Sequence, residues 1–168
     1  WLENYGHWGF PSEFLKYGSE SDRIGGEFWV TGDLGSIECR AASSCANTYG
    51  KPFVSAEAFT GGPAFQTAPW GLKARGDWAF CEGINQFVLH VVIHQPWDDK
   101  KPGINAPWGT EFNRHNTWID YATPWVEYLR RCTVMLQTGT HVADVAYFIG
   151  EDAPKMAGIR RPELPAGY

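Results

Sequence analysis

The chain has 168 residues, a length that suits one domain with a substantial hydrophobic core. Its 14 Lys and Arg residues against 19 Asp and Glu residues give a formal net charge of −5, which argues against nucleic acid as the main partner. No apolar run reaches the length of a membrane span, so no membrane partner is expected.

The first half of the chain predicts two short strands that each carry a carboxylate. The first lies near Glu27–Val30. The second follows Lys51-Pro52, carries Glu57 and continues into a loop that begins with Gly61-Gly62. A buried carboxylate without a partner is strongly disfavoured. We therefore expect both acids to have a role, as acid–base groups or metal ligands, with a structural salt bridge at a strand end as the alternative for Glu57.

Helical spacing of apolar residues separates these strands from the elements that follow. A helix is predicted from about Ser36 to Tyr49, with Gly50 ending it, and a second from Trp70 to Glu82. The β-branched run Ile84–His94 predicts a parallel strand that is covered on both faces. A long loop, Gln95 to about Asn113, comes next.

The last predicted elements are a helix and a strand. Apolar residues spaced three and four apart from Trp118 to Leu136 predict a helix that Pro124 divides, with Thr123 as the cap of the longer part and Gly139 at its end. Residues Val142–Ile149 predict a final strand.

The alternation of strands and helices predicts an α/β fold with a parallel sheet. Acids at strand ends and long loops after strands are typical of the functional face of a (β/α)8 barrel. A doubly wound sheet is the alternative, but the chain has no Gly-x-Gly-x-x-Gly motif. Four strands are half the number a barrel needs, so we expect residues 1–150 to form the C-terminal half of a TIM-type barrel from a longer protein. Residues 151–168 are expected to form a loop leading out of it.

Cysteine, tryptophan and histidine leave several interpretations open. Without a Cys-x-x-Cys motif a structural zinc site is not expected, and the four cysteines are predicted to be small buried apolar residues. The nine tryptophans indicate either a large aromatic core or an aromatic pocket for a sugar ring. His90 and His94 share one face of their predicted strand. His90 is expected to be a core histidine, and His94, at the strand end, to bind a sugar hydroxyl.

Five segments together resemble glycoside hydrolase family 106, the α-L-rhamnosidases, in the same order along nearly the whole chain. They are Glu3-Asn-Tyr-Gly with Phe10-Pro-Ser-Glu-Phe-Leu, Tyr49–Thr60, Gly76–Asn85, His94-Gln-Pro-Trp97 and Leu136–Val145. The resemblance implies the later part of the catalytic barrel of a large, secreted or periplasmic bacterial enzyme. It also implies inverting hydrolysis that depends on calcium and releases terminal rhamnose from plant polysaccharides or glycosides.

The resemblance also implies residue roles. Glu57 matches the general base, and Glu27 matches an acidic position near the calcium ion and the sugar hydroxyls. The general acid is expected on an earlier strand that this chain lacks. Trp29, Gln95 and Trp97 are candidates, with His94, to contact an oligosaccharide or glycoside substrate.

Other loop residues and other functions stay open. Trp108, Glu111 and Arg114 are candidates for more distant subsites, whereas Asp77 and Asp144 are expected to be structural. The chain could belong to another barrel glycosidase, including a retaining one, or to a non-catalytic carbohydrate-binding protein on a degenerate barrel.

Overall fold

The computed structural model shows an α/β fold built on one parallel sheet. It describes residues 2–3, 14–32, 37–62, 65–146 and 148. The strands are β1 (Leu2–Glu3), β2 (Ile24–Trp29), β3 (Val54–Thr60) and β4 (Gln86–Leu89). The helices are α1 (Phe14–Ser19), α2 (Ile37–Thr48), α3 (Pro69–Cys81) and α4 (Thr123–Leu136), and a 3-10 turn spans Ile119–Tyr121.

The strands follow one another across the sheet in chain order, β1-β2-β3-β4, and every pairing is parallel. Because β1 has only two residues, three full strands form most of the sheet. Sequential order with a helix between successive strands confirms the predicted parallel α/β class. Closure into a barrel depends on strands outside this chain and stays a prediction.

The helices pack against one face of the sheet. Residues of α2, α3 and α4 share a single apolar cluster with Phe28, Ala56 and Ala58 of the central strands. Alternate residues of a strand point to opposite faces. Glu27 and Glu57, which lie between these apolar positions, therefore point to the face away from the helices.

Aromatic rings fill the space between the sheet and the helices. Phe59 lies at their centre, with ring centroids 4.9 Å from Phe28, 5.4 Å from Phe87 and 5.5 Å from Trp125. Helix α3 can approach because Gly76 has no Cβ. A Cβ there would lie 3.1 Å from the Phe59 ring, which is tighter than ordinary contact. Part of the aromatic content therefore belongs to the core, as the first interpretation of the tryptophan count predicted.

The predicted helices are confirmed to within one or two residues, with two differences at the last one. Thr123 is the first helical residue rather than the cap, and Ala122 precedes it without a side-chain capping bond. The helix ends at Leu136, before Gly139. Ser36, where the first long helix was predicted to begin, lies outside the described residues.

Two strand predictions are wrong in part or in full. The strand expected over Ile84–His94 is paired only from Gln86 to Leu89, and Val88 is 38% exposed, so it is not covered on both faces. His90 and His94 therefore do not share a strand face. No strand forms among the described residues of Val142–Ile149, where Val142 is 81% exposed. Asp144 consequently lies on exposed irregular chain rather than in a strand.

The cysteine prediction is correct for two of the four residues. Cys39 and Cys45 are buried under the sheet, whereas Cys132 is half-buried and Cys81 is exposed. All four are free thiols. Among the described residues, no helix is long and apolar enough to cross a membrane. The tail 151–168 lies outside the described part of the chain.

Candidate active site

Glu27 and Glu57 lie side by side on neighbouring strands, two and three residues before the last residue of β2 and β3. They are direct partners in the parallel pairing of β2 with β3. In-register residues of parallel strands point the same way, with strand axes about 4.8 Å apart. The two predicted acids therefore form one pair on the sheet face opposite the helices.

Glu27 is the more deeply buried of the two, with 3% of its surface exposed. Burial raises the pKa of its carboxyl above the ordinary value, and the nearby charge of Glu57 adds to the rise. A hydrogen bond from the Trp29 indole, 2.5 Å from Nε1 to Glu27 Oε1, acts in the opposite direction. Trp29 thus contacts one member of the acid pair directly, and its role in lining a sugar pocket stays a prediction.

Arg75 of α3 contacts the end of β2 from the helix side of the sheet. Its Nε donates to the Trp29 carbonyl at 2.8 Å, and its guanidinium stacks on the Trp78 ring at 3.6 Å from the centroid. A helix on the apolar face thus determines where the Trp29 backbone lies, and with it the indole that contacts Glu27.

Glu57 has two polar neighbours that the sequence did not assign to the site. Thr60 Oγ1 lies 2.9 Å from Glu57 Oε1, and His90 Nδ1 lies 3.4 Å from the same oxygen. Three residues along a regular strand would point Thr60 to the opposite face. The pairing skips Phe59, which has φ of +66°, and this bulge turns Thr60 to the Glu57 face.

The expectation that His90 is an ordinary core histidine is therefore wrong. Because β4 ends at Leu89, the chain bends there and carries His90 to the acid pair. Sequence spacing gave no signal for this. His90 lies within the run Ile84–His94, so the pattern did not mark it as the residue that follows a strand.

The long loop is attached to the strand ends by hydrogen bonds to backbone carbonyls. Thr110 donates through its amide to the His90 carbonyl at 2.9 Å and through its hydroxyl to the Phe59 carbonyl at 2.8 Å. Gly109, with φ of +124°, permits this approach, since a Cβ there would lie 2.7 Å from Val91. The loop therefore holds both the bulge and the histidine.

The other predicted substrate contacts lie farther along this loop. Gln95 is buried, and its side-chain amide forms hydrogen bonds with the backbone of Ile104. One of them, 2.9 Å long, is donated by the Ile104 N–H to the Gln95 side-chain oxygen. His94 is exposed, and so is Trp97, with Lys100 4.3 Å above its ring. The described contacts show Gln95 organising the loop, and the substrate roles of all three residues stay predictions.

Of the three candidates for distant subsites, Glu111 and Arg114 form hydrogen bonds within the loop, whereas Trp108 has an exposed ring. Glu111 is buried and accepts from the Phe65 amide at 3.1 Å and from Asn105 at 2.9 Å. Arg114 holds the Gln95 carbonyl at 2.7 Å and pairs with Asp98. Trp108 is 56% exposed, and its role in a subsite stays a prediction.

No cluster of acidic side chains marks a calcium site among the described residues, and calcium binding stays a prediction. Calcium takes six to eight oxygen ligands. Within the described ranges no group of three or more His, Cys, Asp or Glu residues could hold a metal ion. Glu27 would contribute one carboxylate, and the remaining oxygens have no identified source here.

All residues from 1 to 168 match the family model described as alpha-L-rhamnosidase. The chain belongs to this glycoside hydrolase family. A rhamnosidase of known structure from Novosphingobium sp. PP1Y is 39% identical and superposes with a TM-score of 0.78 over 84% of the chain. A protein of Formosa agariphila with the provisional name beta-glucuronidase is 40% identical over 163 residues, 96% of the chain. The chain spans only 14% of the length of each of these relatives.

Proposed function

We propose that the longer protein containing this rhamnosidase-family chain is an inverting α-L-rhamnosidase, with Glu57 as the general base. The observation that carries the proposal is the pairing of Glu57 with Glu27 on adjacent parallel strands, within three residues of their carboxyl ends and away from the helices. Barrel enzymes place catalytic groups at this end of their strands. Sequential strand order and helices on one face also support a partial (β/α)8 barrel.

In the proposed reaction Glu57 accepts a proton from the water that attacks the anomeric carbon. Inverting enzymes flank the sugar with two carboxyl groups about 6.5–9.5 Å apart. Glu27 lies beside Glu57 on the neighbouring strand, so both face a bound sugar from the same side. Protonation of the leaving oxygen then requires an acid from another strand of the longer protein. Glu27 is left to bind sugar hydroxyls or calcium.

The acid pair also favours a neutral sugar over a uronic acid. The name of the Formosa agariphila relative makes β-glucuronide hydrolysis the second candidate. A glucuronate carboxylate near this pair would face like charges, whereas a rhamnose ring carries none. Chromogenic α-L-rhamnoside and β-D-glucuronide, given to the same preparation, separate the two candidates by which one releases chromophore.

Replacement of Glu57 by Gln tests the role of the base. Glu57→Gln keeps the shape of the side chain but loses proton-accepting capacity, so we expect kcat to fall by about 100- to 10,000-fold with substrate binding retained. The measurement is steady-state hydrolysis of an aryl α-L-rhamnoside. Glu82→Gln is the control, because Glu82 pairs with Arg40 on the helix side of the fold. A near-normal rate for Glu57→Gln would remove Glu57 from the mechanism.

The anomeric configuration of the first product separates the inverting mechanism from a retaining one. Proton NMR of the fresh reaction mixture is expected to show inversion. Retention would favour another class of barrel glycosidase. Binding without hydrolysis would favour a carbohydrate-binding protein.

Calcium dependence and a secreted or periplasmic location remain part of the proposal, supported by the family resemblance alone. Stripping the longer protein with a chelator is expected to lower rhamnoside hydrolysis, and added calcium to restore it. Magnesium at equal concentration serves as the control, since it demands a tighter octahedral shell. Full activity after stripping would contradict the proposed calcium requirement.

A further inference from the structure

Three polar side chains, those of His90, Thr60 and the proposed base Glu57, are connected by short polar contacts. Thr60 Oγ1 lies 2.9 Å from Glu57 Oε1 and 3.1 Å from His90 Nδ1. The Thr60 side chain comes from the bulge at the end of β3, and the imidazole comes from the residue after β4. Two different strand ends therefore converge on one carboxylate oxygen.

Counting protons assigns a direction to each bond. A threonine hydroxyl has a single hydrogen to donate, and an ionised carboxylate only accepts. If Thr60 donates to Glu57, the contact with His90 requires a hydrogen on Nδ1 of the imidazole. The same hydrogen faces Glu57 Oε1 at 3.4 Å, so this tautomer satisfies both contacts.

The backbone around these groups is held from several directions. The Thr60 carbonyl accepts the Val30 amide at 2.8 Å, and the His90 amide donates to the Ala58 carbonyl at 3.0 Å. Thr110 then joins the Phe59 and His90 carbonyls across the strand ends. These hydrogen bonds restrain the backbone at Thr60 and at His90, and thereby limit how far the two side chains can move.

We propose that Thr60 and His90 are positioning residues that fix the orientation of the Glu57 carboxylate for proton transfer from the attacking water. The inference rests on the proposed role of Glu57 as general base. Thr60 acts by donating to Oε1, and His90 acts by donating to Thr60 so that the hydroxyl hydrogen stays directed at the carboxylate. Neither residue is assigned contact with the substrate.

Paired substitutions of Thr60 in the longer protein test the hydroxyl. Thr60→Val keeps the branched shape and removes the donor, and we expect kcat to fall roughly 100-fold with KM nearly unchanged, as for a misplaced catalytic group. Thr60→Ser restores the donor and is expected to recover most of the rate. Equal rates for the valine variant and the parent, with equal thermal stability, would overturn the inference.

A second pair of variants tests His90. The amide nitrogen of Asn occupies the position of Nδ1, whereas the amide of Gln reaches the position of Nε2. We therefore expect His90→Asn to retain much more of kcat than His90→Gln. The reverse order, or equal losses, would contradict a role through Nδ1. This pair also decides the question if Thr60→Val fails to fold.

A double-mutant cycle shows whether Thr60 acts through the base. In the Glu57→Gln background we expect Thr60→Val to cost little further rate, because the group it positions is already lost. An additive loss would show that Thr60 acts elsewhere. If Glu57→Gln alone keeps a normal rate, the proposed function fails. If it is inactive while Thr60→Val and His90→Gln are normal, only the positioning role fails.

Discussion

Glu27 is a carboxylate placed where folding disfavours its charge. It is 3% exposed, and burial raises its pKa above the ordinary value of 4.5 despite the hydrogen bond from Trp29. The fold therefore tolerates the protonated form better than the ionised one. Strain of this kind is common at functional sites, which keep groups that stability alone would remove.

Replacing Glu27 should therefore stabilise the longer protein in a pH-dependent way. Glu27 costs no stability below its unfolded-state pKa of about 4.5, and the cost develops as pH rises through the higher folded-state pKa. We expect Glu27→Gln to raise the thermal transition at pH 7, in the presence of a chelator, and to change it little at pH 4.

Glu82→Gln is the matched control for this pH series. Glu82 is also buried, but it makes two bonds to Arg40, at 2.9 and 2.8 Å. Glu82→Gln removes the charge of a partly buried ion pair, in which the Arg40 side chain is 46% exposed, and weakens both hydrogen bonds. This variant should lower the transition at pH 7. A fall of similar size for Glu27→Gln would show that the Glu27 charge is well satisfied.

The bulge in β3 is the element on which the site depends. A non-glycine residue with positive φ costs about 1–3 kcal/mol. Truncating a core Phe to Ala costs about 3–5 kcal/mol, so burial of the Phe59 ring among Phe28, Phe87 and Trp125 outweighs the backbone strain. The core thus maintains the turn that presents Thr60 to Glu57.

Truncating Phe59 should damage both stability and activity. We expect Phe59→Ala to lower the free energy of unfolding by about 3–5 kcal/mol and to reduce kcat at temperatures where the protein stays folded. Phe80→Ala provides the comparison, because Phe80 stacks on Phe87 at 4.5 Å but makes no bulge. It should lose stability with kcat preserved. A normal kcat in folded Phe59→Ala would show that the activity does not depend on the bulge.

At the scale of the whole molecule, the described part of the chain has surfaces that suit a larger assembly. The acid pair lies on a sheet face that none of the described helices covers. Apolar side chains are exposed along α4, among them Val134 at 56% and Met135 at 74%. The chain spans 14% of the length of each of its two relatives.

We therefore expect the isolated 168-residue polypeptide to be inactive and to lack a cooperative thermal transition, because no other described strand pairs with the outer edge of β1 or of β4. Differential scanning calorimetry and near-ultraviolet circular dichroism measure this directly. The longer protein, treated identically, is the control. A sharp transition and native-like aromatic signals from the isolated chain would show that these four strands fold on their own.

The sequence by itself determined the parallel α/β class, the helices, the two acid-bearing strands and the family. These follow from local periodicity and from motifs that remain in chain order. The tertiary structure alone decided how far β4 extends and which polar groups reach Glu57. His90 and Thr60 entered the site because a bulge changed the facing of one strand and another strand ended early. Likewise, Gln95 and Glu111 proved to hold loop backbone. Such outcomes depend on contacts between residues distant in sequence, which local patterns do not encode.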